Sequence, residues 1–328
     1  MNINIFIIII IFNLLFFEYF EIITKKLNIF SLTVYAKKEI NRKIPLIGGL
    51  YILININLIY FMVNNFTSSI NEYNNLFFIL IISNLYFLVG YLDDKLNLSP
   101  SSKLYLFIII TFTVLYNYDF LVIEKLKFSF ISEHINLHIF SIYFSLFCIF
   151  VFLNALNMFD GINGHSGIYI IFVMLVFYSY TSDFVYLIFN LSIIIFLILK
   201  LKNKFFIGNS GIFFLGVLIS FNFINLYNQG LIIHADEIAI IMFLPGLDLI
   251  RLFFVRISNK KNPFSRDHNH WHHIVSKKFG NYKTLIISSI MFSLPFIISK
   301  VIDISNFYII FISSLIYFMA IKFCKKNN

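Results

Sequence analysis

The sequence predicts an all-α, polytopic integral membrane protein, and three observations support this class. Of the 328 residues, 59% are hydrophobic and only 12% are charged. The mean hydropathy is +0.86, a value typical of membrane proteins and too high for a water-soluble domain. The apolar runs are long and closely spaced, and Lys and Arg gather in alternate loops between them.

Apolar segments separated by polar breaks predict eleven transmembrane helices. They lie at 3–24, 45–63, 75–92, 104–118, 139–158, 166–181, 184–199, 212–227, 237–257, 284–302 and 306–323. Several are slightly shorter than the ~20 residues that cross the hydrocarbon core, so the helices are expected to extend a few residues beyond these bounds. The first lacks a basic leading region and a small-residue cleavage site, which indicates a span rather than a removable signal peptide. Cys148 and Cys324 show no metal or disulfide spacing.

The distribution of basic residues orients these helices. With an external N-terminus, 21 of the 25 Lys and Arg residues fall in loops on one side, and only Lys125, Lys127 and Lys300 fall on the other. Arg251 lies inside a span. Cytoplasmic loops collect positive charge, so the N-terminus is predicted to be periplasmic and the C-terminus cytoplasmic. The net charge of +9 then favours contact with anionic lipid or attraction of an anionic substrate.

The unusual polar clusters all fall on the predicted cytoplasmic side. They occupy the loops 25–44, 93–103, 158–165, 200–211 and 258–283 of what is predicted to be a single domain, 1–328. A transporter would be expected to place polar residues near the bilayer midplane, where few charges fall here. The pattern instead predicts one composite site at the boundary between membrane and cytosol.

Adjacent carboxylates at Asp93 and Asp94 form the first candidate cluster. They could simply end a helix at the interface, but two neighbouring carboxylates repel and are tolerated most easily beside a cation or base. Lys103, ten residues later, could be an ordinary cytoplasmic lysine or a phosphate contact. The acids and the lysine are therefore candidates for binding a metal and phosphate.

A second cluster recurs every three residues at Asn154, Asn157 and Asp160. On a helix these side chains would lie roughly along one face in the last turns of a span. Gly161 and Gly164 would end the helix and allow a ligand close to the backbone. Farther along, the turn 208–211 could open a helix or, through its N–H groups, bind an anion.

The last cluster is the loop "RDHNHWHH" at 266–273, with Arg256 upstream. His268 and His272 have a spacing seen in metal-binding helices, but no Cys or Glu follows, and the surrounding Lys and Arg disfavour a dication. A solvated, inactive loop is the other alternative. Phosphate binding by imidazole and guanidinium N–H groups fits the basic surroundings better.

Together these clusters match the requirements of phosphoryl transfer. Carboxylates hold Mg²⁺, Mg²⁺ bridges phosphates, and cationic side chains stabilise the remaining charge. A site at the bilayer edge further implies one lipid-borne and one water-borne substrate.

Five motifs in order across residues 37–275 resemble the polyprenyl-phosphate N-acetylhexosamine-1-phosphate transferases. They are "IPLIGG", "LDD" with a downstream "SSK", "NALNMFDG", "FFIGNSG" and "PFSRDHNHWHH". The resemblance implies transfer of a sugar-1-phosphate from a UDP-N-acetylhexosamine to undecaprenyl phosphate, with release of UMP. It also implies an enzyme of the inner, cytoplasmic membrane with its active site facing the cytoplasm.

The resemblance assigns roles to individual residues. It implies Mg²⁺ held by Asp93, Asp94 and Asn209, and catalytic roles for Asp93, Asp94, Asp160 and Lys103. Substrate binding is implied for a larger set: Gly48, Gly49, Asn154, Asn157, Arg256, His270, His272 and His273. His268 is a bystander in this assignment. Membrane lipid is an expected partner, and nucleic acid is not. The formation of a homodimer is left open.

Two departures and several alternatives accompany the resemblance. Most relatives carry an acid where this chain has Asn209, and many carry Asp where it has Asn163, so weaker metal binding or an impaired homologue is one alternative. The "DHNHWHH" spacing resembles N-acetylglucosamine-type enzymes that initiate surface polysaccharides such as O-antigen. The peptidoglycan phospho-N-acetylmuramoyl-pentapeptide transferases are the second alternative. A non-enzymatic scaffold or transporter is the third.

Overall fold

A computed structural model describes residues 3–28, 30–32, 43–66, 74–201, 206–261 and 269–326. The helices are α1 (Ile3–Leu27), α2 (Gly48–Phe66), α3 (Asn74–Leu96), α4 (Pro100–Asn117), α5 (Ser141–Phe159), α6 (His165–Thr181), α7 (Phe184–Leu201), α8 (Gly208–Asn228), α9 (Ala235–Ile241), α10 (Phe243–Ser258), α11 (Trp271–Phe279), α12 (Asn281–Val301) and α13 (Asn306–Lys326). Two short antiparallel pairs join β1 (Phe30–Leu32) to β2 (Lys43–Pro45) and β3 (Lys125–Leu126) to β4 (Ile135–Asn136). Parts of the predicted loops 25–44, 200–211 and 258–283, including His268, lie outside the described residues.

All eleven predicted apolar segments are largely helical, but they do not all qualify as spans. Within the described part of the chain, six helices are long and apolar enough to cross a membrane: α1, α3, α5, α8, α12 and α13. The pair α9 and α10 would supply a seventh, and α2, α6 and α7 are apolar but shorter. The chain is therefore an all-α, multi-pass membrane protein. The count of eleven spans and the placement of the termini stay predictions.

The predicted span 237–257 is broken rather than continuous. Its two helices, α9 and α10, meet at an angle of 83°. Pro245 is the third residue of α10. Proline is tolerated in the first turn of a helix because its missing N–H has no intrahelical acceptor there, whereas in the interior it would break the helix. The break before Pro245 therefore lets α10 begin as a new helix.

The chain divides into two compact units, and the prediction of one domain over 1–328 stays a prediction. The first unit comprises 1–114 and 174–222. In it, α2 packs against α1, α3 and α7. Half-buried amides join α2 to α3, because Asn57 and Asn84 exchange hydrogen bonds of 2.9 and 3.0 Å. Such amide pairs satisfy polar groups that would otherwise be costly in an apolar environment.

The second unit comprises 115–173 and 223–328. Here α5 packs against α10, and α12 packs against α9, α11 and α13. The β3–β4 hairpin is fastened to the start of α9, where the Asp236 carboxylate accepts the Ser129 N–H at 3.1 Å. The short helix α11 ends at Gly280, whose φ of +78° is the left-handed conformation that favours glycine. It places His272 and His273 on a helix, where the sequence had predicted a loop.

Candidate functional site

The first unit holds a carboxylate cluster, formed by Asp93, Asp94, Lys103 and Asn209. Both acids lie in the last turn of α3. The negative end of a helix dipole repels carboxylates, so these acids need hydrogen-bond donors or cations from elsewhere in the fold. Asp94 obtains them from the start of α8: its Oδ1 accepts the Asn209 N–H at 2.9 Å and its Oδ2 accepts the Ser210 N–H at 3.0 Å.

This arrangement explains the glycine-flanked turn at 208–211. The first N–H groups of a helix lack intrahelical partners and attract anions. The sequence predicted that this turn could open a helix or bind an anion, and the structure shows both. The bound anion is the Asp94 carboxylate of the chain itself.

Asp93 is only 2% exposed and is neutralised by side chains. The Lys103 ammonium, in the first turn of α4, lies 2.7 Å from its Oδ2. The Asn209 Nδ2 donates to the same oxygen at 2.8 Å. A buried charge is tolerated only when it is paired and hydrogen-bonded. Lys103 is therefore a cation beside the acid pair, the kind of partner that the repulsion between adjacent carboxylates favours.

Glycines allow α2 and α3 to approach the start of α8. A Cβ on Gly90 would lie 2.4 Å from the Ser210 Cα, and a Cβ on Gly49 would lie 2.5 Å from the Gly211 N. A Cβ on Gly48 would lie 2.6 Å from the Phe206 O. The structure thus gives Gly48 and Gly49 a packing role, and substrate contact by them stays a prediction.

The carboxylate cluster contains donor types that fit Mg²⁺. Mg²⁺ prefers hard oxygen ligands, takes one or two carboxylates and keeps water and phosphate in its other positions. Asp93 and Asp94 supply the carboxylates. Asn209 turns its Nδ2 toward Asp93, but a half rotation of the amide would present its Oδ1 instead. Within the described ranges no three His, Cys, Asp or Glu side chains are placed to hold a metal, so two carboxylates and one amide are the set available.

The second unit carries the Asn154, Asn157 and Asp160 series at the end of α5. Asn154 and Asn157 are exposed while the two residues between them are buried, so the three-residue spacing does select one face. Asp160 follows the last residue of α5 and accepts a hydrogen bond from the Ser166 hydroxyl. Ser166 is at the start of α6, so this bond connects the two ends of the 160–166 turn.

Beside this turn lies an imidazole cluster, formed by His165, His270, His272 and His273. The His272 ring centroid is 5.2 Å from that of His165, 5.4 Å from that of His270 and 4.3 Å from that of His273. Among the described residues these rings do not form a metal site. Their N–H groups can instead serve an anionic ligand.

Sequence reasoning missed His165. A lone histidine at a helix start carries no pattern, and its neighbours in the cluster are more than 100 residues away in the chain. In the structure it is 1% exposed, its Nδ1 lies 3.0 Å from the Phe159 O, and its ring stacks on Phe159 with centroids 3.7 Å apart. Only the fold brings it to His272.

His272 lies at the centre of the cluster and has polar atoms in need of a partner. Neither ring nitrogen has a hydrogen-bond partner among the described residues. Burial, reinforced by the neighbouring His165, His273 and His270, lowers the pKa of His272 to about 2, so the ring is neutral at working pH. A buried polar group without a partner costs free energy, and a ligand that supplies hydrogen bonds would recover it.

Gly161 is fitted closely against this ring. A Cβ at position 161 would lie 1.8 Å from the His272 Nε2. We expect Gly161→Ala to displace the ring, lower the free energy of unfolding by about 1–3 kcal/mol and weaken any function of the cluster. Thermal unfolding and activity measured on the same preparation would check this. Gly246→Ala is the control, because a Cβ there meets nothing within 4 Å and alanine favours the helix. Equal stability and equal activity of the two variants would contradict the close packing of Gly161 against the His272 ring.

The predicted site residues thus form two groups, one in each unit. Asp93, Asp94, Lys103 and Asn209 contact one another in the first unit. The second unit gathers its members around His272 and the 160–166 turn: Asp160, His270, His272 and His273. Arg256 is buried in the last turn of α10, and its contact with substrate stays a prediction. The union of both groups in one composite site also stays a prediction.

Comparison with known proteins identifies the family. The profile of glycosyl transferase family 4 matches residues 76–227. An undecaprenyl-phosphate alpha-N-acetylglucosaminyl 1-phosphate transferase of Thermotoga maritima is 31% identical over 281 residues, 84% of this chain and 82% of that protein. The enzyme of the same name from Escherichia coli K12 is 22% identical over 344 residues, 96% of this chain and 89% of that protein.

A further relative covers a smaller part of the chain. A phospho-N-acetylmuramoyl-pentapeptide-transferase of Streptococcus pneumoniae is 36% identical over 139 residues, 39% of this chain and 40% of that protein. The Thermotoga relative, in contrast, matches most of both chains. The chain therefore belongs to glycosyl transferase family 4.

Proposed function

We propose that this protein transfers N-acetylhexosamine-1-phosphate from a UDP-sugar to undecaprenyl phosphate and releases UMP. The observation that carries the proposal is the carboxylate cluster. Two adjacent acids, a lysine and a helix start meet there, within the segment 76–227 that matches the transferase family. The proposed location is the inner membrane, with the site facing the cytoplasm, and the proposed product is the first lipid-linked intermediate of a surface polysaccharide. Self-association as a homodimer is compatible with the proposal.

The carboxylate cluster would provide the metal and the lipid-phosphate side of this reaction. Asp93 and Asp94 would hold Mg²⁺, with Asn209 as a neutral third ligand. The ion would supply charge neutralisation for the reacting phosphates. Lys103 is already 2.7 Å from Asp93, so its ammonium lies where it can neutralise a phosphate oxygen beside that acid.

The imidazole cluster would bind the donor. A diphosphate offers many acceptor oxygens, and the buried His272 ring has both nitrogens without partners among the described residues. Asp160 accepts a hydrogen bond from Ser166 in the 160–166 turn, which lies beside the imidazole cluster. Asn154 and Asn157, exposed on the preceding turns of α5, would contact the nucleotide-sugar.

N-acetylglucosamine is the sugar favoured by the comparisons, without excluding other N-acetylhexosamines. The relatives that cover 84% and 96% of the chain carry alpha-N-acetylglucosaminyl 1-phosphate in their names. The pentapeptide transferase aligns with only 39% of the chain, so that activity is the second candidate.

A donor panel tests the proposal. Purified protein in liposomes with undecaprenyl phosphate and Mg²⁺ would be given UDP-GlcNAc, UDP-GalNAc, a UDP-6-deoxy-N-acetylhexosamine or UDP-MurNAc-pentapeptide. UMP release is expected with one of the first three and not with the pentapeptide donor. Release only with the pentapeptide donor would select the second candidate. No UMP from any donor, with either the natural protein or Asn209→Asp, would favour a scaffold or transporter.

Asn209→Asp should change the metal requirement. A third carboxylate beside Asp93 adds a negative charge, which strengthens Mg²⁺ binding and, without the metal, repels Asp93. We expect the Mg²⁺ concentration for half-maximal UMP release to fall about tenfold. Asn136→Asp, which adds the same charge at an exposed amide of β4, is the matched control. An unchanged Mg²⁺ dependence in Asn209→Asp would remove residue 209 from the metal site.

A further inference from the structure

Asp248 of α10, which the sequence did not mark as a candidate, is the hub of a buried polar network in the second unit. It is 4% exposed. Its Oδ1 accepts the Tyr317 hydroxyl at 2.6 Å, the Arg251 Nη2 at 2.7 Å and the Trp271 backbone N–H at 3.0 Å. Its Oδ2 lies 3.2 Å from the His270 Nδ1. One carboxylate thus joins α10, α13 and the start of α11.

These bonds fix the point at which α11 begins. Trp271 is the first residue of α11, and its N–H has no intrahelical acceptor, so Asp248 acts as a cap from another helix. Arg251 also donates to the Asn269 O at 2.5 Å. The Trp271 indole N–H donates to the Ser288 hydroxyl at 3.0 Å. The chain at 269–271 is therefore held by hydrogen bonds from α10 and α12.

The same carboxylate determines how His270 presents its ring. An ionised carboxylate only accepts hydrogen bonds, so the proton must reside on the His270 Nδ1. The opposite nitrogen, Nε2, is then directed away from Asp248. The ring lies nearly parallel to His272, with an interplanar angle of 11° and centroids 5.4 Å apart.

We propose that Asp248 is a positioning residue that keeps His270 protonated at Nδ1 and sets its Nε2 for an oxygen of the donor diphosphate. When Nε2 also donates to a phosphate oxygen, both ring nitrogens carry protons, and the Asp248 carboxylate compensates the positive charge. Carboxylates behind histidines act in the same way at metal sites, where they fix the tautomer and orientation. The ligand in this inference rests on the proposed function.

Donor kinetics of Asp248→Asn test the role. The amide keeps the shape and one acceptor oxygen but loses the charge, and its NH₂ faces the His270 Nδ1–H. We expect the KM for the active UDP-sugar to rise about 10- to 100-fold, while kcat and the KM for undecaprenyl phosphate change less than about threefold. A purely structural role would instead lower kcat through loss of folded protein and leave both KM values unchanged.

Two further variants test whether the change in donor KM is specific to Asp248 and acts through His270. Asp236→Asn also alters a buried carboxylate of the second unit, but one that is bonded to Ser129. It is expected to leave the donor KM unchanged. Asp248→Asn added to His270→Ala should raise the donor KM no further, because the charge acts through His270. Additive effects in the double variant would overturn the proposal.

The tautomer of His270 provides a readout that does not depend on catalysis. The method is NMR of ¹⁵N-histidine-labelled protein, in which the His270 signal is assigned by its loss in His270→Gln. The natural protein should show a proton on the His270 Nδ1. Asp248→Asn should abolish that protonated Nδ1 signal. An unchanged tautomer in Asp248→Asn would overturn the positioning role even if the enzyme were active. Absence of UMP from every donor with a normal tautomer change would instead reject the proposed function alone.

Discussion

Asp93→Asn is expected to lower UMP release at least about 100-fold, the scale of losing one preorganised electrostatic group at a phosphoryl-transfer site. The variant removes the charge that pairs with Lys103 at 2.7 Å and that accepts the Asn209 Nδ2. It also leaves the lysine ammonium without its counter-ion and removes one of the two carboxylates proposed for Mg²⁺. The initial rate of UMP release, normalised to folded protein, is the measurement.

Asp303→Asn is the matched control for this loss. Asp303 is exposed in the turn between α12 and α13, so neutralising it should leave the rate unchanged. Asp93→Asn protein that folds normally and turns over at a rate near that of the natural enzyme would remove the carboxylate cluster from the reaction.

His272→Ala is expected to lower kcat/KM for the UDP-sugar at least about 100-fold while the protein remains folded. The change removes the two ring nitrogens that lack partners in the described structure and opens a cavity beside Gly161. Steady-state kinetics with the donor varied is the measurement. His134→Ala, an exposed histidine of the β3–β4 region, is the control. A kcat/KM close to the natural value would exclude His272 from donor binding.

The low pKa of His272 also predicts how stability depends on pH. Burial lowers this pKa from 6.5 to about 2. Below pH 6.5, His272 therefore binds a proton in the unfolded chain but not in the folded chain. By linkage, stability falls as the pH drops through 6.5, with a limiting slope of about 1.4 kcal/mol per pH unit. His272→Gln should therefore lose less Tm between pH 7 and pH 5 than the natural protein. An equal or larger loss would contradict the buried, neutral ring.

The helical part of the fold was predictable because apolar segments must form helices in lipid. Hydrophobicity located the helical segments, but it did not show where a helix breaks. The bend between α9 and α10 precedes Pro245, and the two helices pack against different partners, α9 against α12 and α10 mainly against α5. The helix α11 was missed because its polar histidines carry no span signal.

The carboxylate cluster was more predictable than the network behind the imidazoles. Asp93 and Asp94 repel, so a cation beside them could be expected, and Lys103 is ten residues away in the chain. The Asp248–Tyr317 bond joins residues 69 apart, and His165 meets His272 across more than 100. Such contacts depend on which helices pack together, and no local spacing encodes them. The sequence also did not show which anion would accept hydrogen bonds from the N–H groups of the turn at 208–211.

The destination of the donor's β-phosphate distinguishes sugar-1-phosphate transfer from transfer of the sugar alone. Purified protein in liposomes with undecaprenyl phosphate and Mg²⁺ would receive UDP-GlcNAc labelled with ³²P at the β-phosphate, the phosphate attached to the sugar. We expect the label to enter the lipid fraction as a pyrophosphate-linked sugar while unlabelled UMP is released. Label that leaves in UDP, with sugar alone on the lipid, would contradict sugar-1-phosphate transfer.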